Sequence, residues 1–257
     1  MSGCQSQAAC FIPNTVLPKP EAVSALSEGG QSIRDMVEAV AKGDRAAAER
    51  LLSADPRLAN HGDGQNLDLL TLAISRCDKP MVELLLANGV NPDGPNGEVP
   101  LSLALRANEP WYAAALLGAG ASPNPTTDER FWPLTSVIGI NSLGAVRLLL
   151  DNGADVNYRD RVGISALYSA VAMQNYRIAE LLLERGADPW IVTSNGDTIG
   201  AAATGSVRPG EAVEIAARER VMAQLSAAGW TFPAPNHAEV RAAVQEGRWP
   251  PPQARRH

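Results

Sequence analysis

The sequence is short of several features, and each shortage excludes a class of protein. No apolar run reaches the roughly 18–20 residues that a membrane-spanning helix needs, so no such helix is predicted. Aromatic residues make up only 5%, and the core must therefore be built mainly from Leu, Val and Ala. A basic excess is also missing. The net charge of −6 argues against DNA or RNA as the main partner, because contacts to phosphates need a basic surface.

Cysteine and lysine are both scarce. The three cysteines, Cys4, Cys10 and Cys77, are too few for a disulfide framework. Cys77 lies inside the repeated region described below and is predicted to be a small, buried apolar residue. Only three lysines stand against 19 arginines, a bias that indicates a GC-rich, bacterial genome.

Patterns typical of catalysis or metal binding are absent from the sequence. The three histidines, His61, His237 and His257, are scattered and lack the spacing of metal ligands. There is no Gly-x-Ser-x-Gly nucleophile motif and no phosphate loop ending in Gly-Lys-Ser/Thr. The glycine-rich segment 118–124 lacks the third glycine of a dinucleotide site. We therefore expect no enzymatic activity, no cofactor and no metal.

The sequence does contain a phrase that recurs with a fixed period. Leucines are followed after two residues by a glycine, then by a small residue and often by Asp or Asn. The copies are LLLANGVNPD (84–93), LLGAGASPN (116–124), LLLDNGADVN (148–157) and LLLERGADPW (181–190). Their glycines, Gly89, Gly120, Gly153 and Gly186, are 31, 33 and 33 residues apart. Weaker copies carry Asp55 and Gly229 at this place, and the longer last spacing predicts an insertion around 205–214.

A second phrase precedes the first at a fixed offset. It reads VPLSLAL (99–105), WPLTSVI (132–138) and SALYSAV (165–171). Ser165 is predicted to cap its helix by accepting a backbone N–H, and Gly186 to end the following helix in the left-handed conformation. Each unit is therefore predicted to be a helix, a tight turn, a second helix and an extended loop. Apolar faces, with Leu149 among their residues, would form a core shared by stacked units.

A period near 33 with these two phrases resembles the ankyrin repeat family, over roughly residues 32–230. The resemblance implies an all-α solenoid of about six helix-turn-helix repeats with degenerate terminal caps. The family's Thr-Pro-Leu-His tetrapeptide is never complete here. Its Thr is replaced or kept as Asp68, Val99, Trp132, Ser165 and Thr198. The expected organisation is a flexible leader at 1–31, a repeat domain at 32–235, and a C-terminal capping helix with a disordered tail at 236–257.

The resemblance also implies where a partner would bind. The family binds other proteins through the tips of its finger loops and the exposed face of each first helix. Carried over position by position, this predicts contacts at Leu67, Arg76, Glu98, Arg106, Phe131, Ile140, Arg161, Ile164 and Met173. The apolar members of this set are expected to form a patch on neighbouring repeats, which the arginines border.

Three hypotheses for function follow from the sequence. The first is a non-enzymatic scaffold, a cytoplasmic monomer that binds another protein. The second depends on the Ser-Gly-Cys tripeptide at 2–4, which would make the protein an envelope lipoprotein anchored through Cys4 if the true start lies upstream. The third and weakest is an enzyme with a site near Arg208 and Glu211 in the inserted last repeat.

Overall fold

The computed structural model describes residues 10–13, 15–19, 27, 29–62, 67–94, 99–124, 132–140, 142–204, 212–251 and 254 of the chain. The chain divides into two compact units, Met1–Pro133 and Leu134–His257. Within the described ranges the regular structure is helical, apart from four isolated β-bridges. Of the helices in these ranges, none combines the length and the apolar character needed to cross a lipid bilayer.

The helices form successive antiparallel pairs, and we call the first helix of a pair inner and the second outer. The first unit contains α1 (Gln31–Lys42), α2 (Arg45–Ala54), a 3-10 helix (Pro56–Asn60), α3 (Leu69–Ser75), α4 (Lys79–Ala87), α5 (Val99–Ala104) and α6 (Trp111–Gly118). The second unit starts within α7 (Pro133–Gly139) and continues with α8 (Leu143–Asp151), α9 (Ala166–Ala172), α10 (Tyr176–Glu184), α11 (Ile199–Ala203), α12 (Ala212–Ala227) and α13 (His237–Gln245). The first twelve helices give six repeats, and α13 follows them unpaired.

The helix boundaries follow from local sequence chemistry. Three inner helices, α3, α9 and α11, begin at a polar residue in the predicted capping position, where the side chains of Asp68, Ser165 and Thr198 accept the backbone N–H three residues later. The repeat glycines lie just after the outer helices with positive φ, for example 86° at Gly186. A residue with a β-carbon is strained there, which explains why glycine recurs. The predicted cap at Ser165 and the helix end at Gly186 are both confirmed.

The core of each unit consists of the facing sides of its helices. In the second unit Leu149 and Val146 of α8 are fully buried, which confirms the predicted position of Leu149. In the first unit Tyr112 is among the largest buried side chains. Burial, with smaller contributions from Glu109 and Asp78, raises the pKa of Tyr112 to about 12, so its phenol stays protonated at neutral pH.

Asparagine side chains tie the loop of one repeat to the next repeat. In the second unit the amide of Asn157 donates to the carbonyl of Gly186 at 3.2 Å and accepts the N–H of Asp188 at 2.7 Å. In the first unit Asn60 makes the same two bonds, to the carbonyl of Gly89 and from the N–H of Asn91. Each asparagine therefore satisfies two backbone groups that the end of an outer helix leaves without intrahelical partners.

Replacing one of these asparagines should weaken the stacking of two repeats. We expect Asn157→Ala to lower the free energy of unfolding by about 1–3 kcal/mol, because two hydrogen bonds each contribute about 0.5–1.5 kcal/mol. Urea denaturation followed by far-UV circular dichroism measures the change. Asn195→Ala, at an exposed position of the turn at 194–195, is the control and should change stability by less than about 0.5 kcal/mol. Equal effects of the two variants would contradict the role of Asn157.

Residues 10–13 are attached to the first unit, although the composition of the segment at 1–31 predicts a flexible leader. Cys10 forms a disulfide with Cys77, with 6.4 Å between the two Cα atoms, inside the usual range. The side chain of Phe11 is 4% exposed. The expectation that Cys77 is a free, buried apolar residue is therefore wrong. Cys77 is half-buried and bonded to Cys10, and it lies on the turn between α3 and α4 and not within a helix.

The C-terminal segment also packs against the repeats, although prolines in its sequence predict an extended, disordered tail. The rings of Trp190 and Trp230 are stacked with centroids 4.4 Å apart, and Trp249 lies edge-on to both. The indole N–H of Trp249 donates to the carbonyl of Trp190 at 2.9 Å. Asn236 and Glu239 form a capping box at the start of α13, within the predicted helix. Around Trp249 the prediction of disorder is therefore wrong, since its indole has both apolar and polar partners.

Candidate functional site

The exposed side of the inner helices in the second unit, together with the turns that precede them, forms the candidate site, which we call the inner face. The turn before α9 is closed by a bridge between Arg159 and Ser165. Oδ1 of Asp160 accepts the N–H groups of Val162 and Ile164, at 3.0 and 2.8 Å. Because its carboxylate is bound within the turn, Asp160 fixes a tip at which Arg161 and Val162 are exposed.

The turns of neighbouring repeats in this unit pack directly on one another. The N–H of Ser194 donates to the carbonyl of Val162 at 2.8 Å. Gly163 has φ of 82°, and a β-carbon there would lie 2.8 Å from the carbonyl oxygen of Val192. A larger residue at position 163 would therefore push the two turns apart. Contacts between the backbones of the two turns therefore fix the turns of the inner face relative to each other.

The inner helices of the second unit carry no charged residue. Their sequences are PLTSVIG in α7, ALYSAVA in α9 and IGAAA in α11. Small residues at the surface of these helices, Gly139, Ala172 and Ala201, are exposed. Met173, directly after α9, is 44% exposed. The helices of the inner face thus form a surface without charge, and the charged residues of this face, such as Arg161, lie on its turns.

Tyr168 is the largest side chain of the inner face on α9 and is half-buried. Burial first, and the carboxylate of Asp197 second, raise the pKa of its phenol. The phenol is therefore neutral at physiological pH and can donate a hydrogen bond. The carboxylate of Asp197 itself accepts from the hydroxyl of Thr193 at 2.9 Å.

The outer helices differ from the inner helices in charge. Their ion pairs join neighbouring repeats, with Arg185 bound to Asp151 at 2.7 Å and Arg220 bound to Glu180. The hydrogen bond from Arg220 holds the pKa of Glu180 below its ordinary value. These two ion pairs hold neighbouring repeats together on the outer side, whereas the inner helices of this unit carry no charged side chain.

The predicted partner residues of the first unit are placed unevenly. Leu67 is only 2% exposed, because its side chain packs in the core. The expectation that Leu67 lies on the surface is therefore wrong. Arg76 and Arg106 are half-buried. The carbonyl of Arg106 accepts the N–H of Ile12, so the N-terminal segment occupies this turn. Glu98 lies outside the described residues.

In the second unit the predicted residues fall into two groups. Ile140 and Met173 occupy the same position, directly after the inner helix, in successive repeats. Ile164 and Arg161 belong to the turn before α9, where Ile164 is half-buried and Arg161 exposed. Phe131 lies outside the described residues, as do Arg208 and Glu211.

Two residues of the inner face are missing from the predicted set, namely Val162 and Tyr168. The side chain of Val162 is 47% exposed. The signal in the sequence is its place in the turn between Arg161 and Ile164, which the resemblance already counts among the exposed positions, and the bonds accepted by Asp160 hold that turn. Tyr168 occupies the position of the histidine in the family's Thr-Pro-Leu-His tetrapeptide. Because a tyrosine replaces that histidine, the resemblance did not select Tyr168 as a contact residue.

Within the described residues, no group of three or more His, Cys, Asp or Glu side chains is arranged so that it could hold a metal ion. On the helices of the inner face the polar groups, Tyr168 and the hydroxyls of Thr135 and Ser136, belong to neutral side chains. The arrangement provides apolar contact and hydrogen bonds, which is the chemistry of an interface.

Comparison with known families agrees with this architecture. A family model of ankyrin repeats in three copies matches residues 36–127, and a model of ankyrin repeats in many copies matches residues 141–183. The chain belongs to the ankyrin repeat family. The predicted all-α ankyrin solenoid is thereby confirmed.

The curated relatives come from bacteria, viruses and eukaryotes. A protein of Treponema pallidum named for its ankyrin repeats is 36% identical over 92 residues, which are 35% of this chain and 31% of the relative. The protein R664 of Acanthamoeba polyphaga mimivirus, also named for ankyrin repeats, is 37% identical over 83 residues, 30% of this chain and 51% of the relative. The matches thus span about a third to a half of the length of these relatives.

Solved structures share the fold. The ankyrin repeat protein EF0377 matches with a TM-score of 0.57 at 21% identity, over 74% of this chain and 96% of that chain. A chain in the complex of the predatory endopeptidase Bd0816 from Bdellovibrio bacteriovorus with the immunity protein Bd3460 matches with a TM-score of 0.55 at 20% identity, over 76% of this chain and 97% of that chain. At such identities the matches show the fold alone.

Proposed function

We propose that this chain is a scaffold without catalytic activity of its own, which binds a partner protein on the inner face of the second unit. The observation that carries the proposal is the neutrality of that face. Its three helices have no charged residue, whereas the outer helices of the same unit carry several. A surface with exposed apolar side chains and a charged border is a candidate interface.

The side chains of the inner face favour a particular kind of contact. Exposed Gly139, Ala172 and Ala201 let the backbone of a partner approach closely, and Met173 and Val162 supply apolar contact. A methionine adapts its shape to a partner surface. Truncating the few projecting side chains should therefore cost most of the binding energy, as in other interfaces.

The charges beside this face indicate the chemistry of the partner. Arg159 and Arg161 are exposed on the turn before α9, while the carboxylates of Asp160 and Asp197 are bound within their own turns. Arg159 (+1), Asp160 (−1) and Arg161 (+1) give the turn a formal net charge of +1 beside an apolar surface. We propose that the partner presents an apolar segment with an acidic group next to it, because such a charge arrangement is complementary.

A capture experiment with matched variants tests the proposal. The double variant Arg161→Glu, Met173→Lys changes the inner face. The control Arg147→Glu, Val244→Lys makes the same two changes of charge on α8 and α13, at positions that are also exposed. Tagged proteins are incubated with lysate of the source cell, and bound proteins are identified by mass spectrometry.

We expect wild type and control to retain the same partner and the face variant to retain about tenfold less, which corresponds to a loss of about 1.4 kcal/mol. Equal retention by all three would show that the partner binds elsewhere. If wild type retains nothing, the scaffold function itself fails. The Bdellovibrio complex pairs an endopeptidase with an immunity protein. A peptidase among the captured proteins would support an assembly of that kind for this chain.

A further inference from the structure

Residues 10–13, which we call the strap, run across the turn between α5 and α6. Phe11 forms an antiparallel bridge with Ala107. The N–H of Ile12 donates to the carbonyl of Arg106 at 2.9 Å, and the N–H of Asn108 donates to the carbonyl of Cys10 at 2.8 Å. Together with the buried ring of Phe11, these bonds give the strap both polar and apolar contacts with the third repeat.

The third repeat differs from the others where the strap lies. In four other repeats the residue before the outer helix donates its N–H back to the inner helix. These residues are Asp44, Asp78, Ser142 and Asn175, at 2.8 to 3.1 Å from the carbonyls of Ala39, Ala73, Val137 and Ala170. The equivalent residue of the third repeat is Glu109, eight residues after Leu101 as Asp78 is after Leu70, and among the described residues its N–H makes no such bond to the carbonyl of Ala104.

The outer helix of the third repeat also begins one residue later than that of the second, at Trp111 where the equivalent of Lys79 would be Pro110. The repeat itself has no extra residue, because Leu101 and Leu70 each stand 19 residues before their repeat glycines, Gly120 and Gly89. The turn presents the carbonyl of Arg106 and the N–H of Asn108 to the strap. The strap thus takes the place of the bond that closes the other turns.

Cys77 is positioned to hold the strap by a covalent bond. It has φ of 59° on the turn between α3 and α4, and Gln174 has φ of 64° at the equivalent place in the fifth repeat. Cys77 and Cys10 are both half-buried, so the disulfide lies outside the fully buried core. Accessible disulfides are the ones that thiols exchange most readily.

We infer that Cys10 and Cys77 form a redox site, at which a thiol–disulfide oxidoreductase closes or releases the strap. To release it, a thiolate of the reduced dithiol attacks one Sγ and forms a mixed disulfide, while the other Sγ leaves as a thiolate and takes up a proton. The second thiol of the reductant then attacks the mixed disulfide. Two electrons and two protons pass to the cysteines, and the reductant leaves as a disulfide.

The closed form belongs to an oxidising compartment. Disulfides persist in secreted, periplasmic or surface proteins and are rare in the cytosol. The disulfide therefore conflicts with the expectation of a cytoplasmic protein. Transfer to a reducing compartment, or reaction with a dithiol, would break the disulfide and release the strap from the third repeat. This inference concerns the first unit and does not depend on the proposed binding function of the second.

Thiol counting and hydrogen exchange on the full chain test the redox site. Denatured without reductant, the protein should have one thiol that alkylates, on Cys4, and after treatment with dithiothreitol three. In the folded protein, reduction should raise the exchange rates of the Ile12 and Asn108 amides about tenfold or more, because their bonds depend on the closed strap. Amides of α9 and α10 should be unchanged, and oxidised dithiothreitol should restore protection.

Two variants separate the redox site from general damage. Cys77→Ser should show the fast exchange without reductant, whereas Cys4→Ser should behave as wild type. Three thiols before reduction, or a disulfide that includes Cys4, would overturn the inference. So would unchanged exchange at Asn108 after reduction. If reduction exposed the amides of α3 to α6 together, the disulfide would be a structural cross-link and not a switch.

Discussion

Trp230→Ala is expected to lower the free energy of unfolding by about 3–5 kcal/mol, the range for removing a large buried aromatic side chain. Trp230 is 4% exposed and stacks on Trp190 with 4.4 Å between ring centroids. Its ring also packs directly on Gly200, where an added β-carbon would be 2.4 Å from the ring. Urea denaturation followed by far-UV circular dichroism measures the loss without relying on tryptophan fluorescence.

Trp230→Phe is the control for this prediction. The indole N–H of Trp230 is buried and has no hydrogen-bond partner among the described residues, so removing it relieves a cost of burial. Phenylalanine keeps an aromatic ring beside Trp190, and we expect a loss of less than about 1.5 kcal/mol. Losses of the same size in the two variants would show that the cluster is not held by stacking of its rings.

Leu149→Ala is expected to lower the free energy of unfolding by about 2–5 kcal/mol. The side chain is fully buried on α8, and its removal leaves a cavity between repeats. Leu150→Ala, on the same helix but half-buried, should cost less, because part of its surface already meets water. Parallel urea titrations measure both variants, and a loss for Leu149→Ala within experimental error would contradict its position in the core.

The sequence determined the repeats because their signals are local. Gly186 ends its helix through its own backbone, and Ser165 caps a helix by a bond three residues onward. Such features act within one turn of chain and return with the period, so they can be found without a structure. The buried position of Leu149 follows from the same regularity.

The features missed by the sequence depend on residues far apart in the chain. The disulfide joins Cys10 to a cysteine 67 residues away, and the spacing of cysteines does not determine their pairing. Trp249 bonds to a carbonyl 59 residues earlier. The prolines after Trp249 predict an extended tail. The indole of Trp249 nevertheless contacts Trp190 and Trp230, which only the fold brings close to it.

The candidate site could be predicted only in part. Met173, the residue directly after an inner helix, was correctly predicted to be exposed, because the repeat period fixes where that helix ends. Leu67 was misplaced, since a loop residue before an inner helix can turn toward the core when its helix starts with an apolar pair. Whether any of these side chains contacts a partner is decided by binding experiments on the variants above.

The disulfide also sets an order of events during biosynthesis. Cys4 and Cys10 are synthesised close together, long before Cys77 emerges from the ribosome. An oxidase acting on the nascent chain would meet Cys4 and Cys10 first and could join them into a small ring, which would keep Cys10 from its native partner. Correct maturation therefore requires that the second and third repeats fold first and present their turns to the N-terminal segment, so that oxidation follows folding.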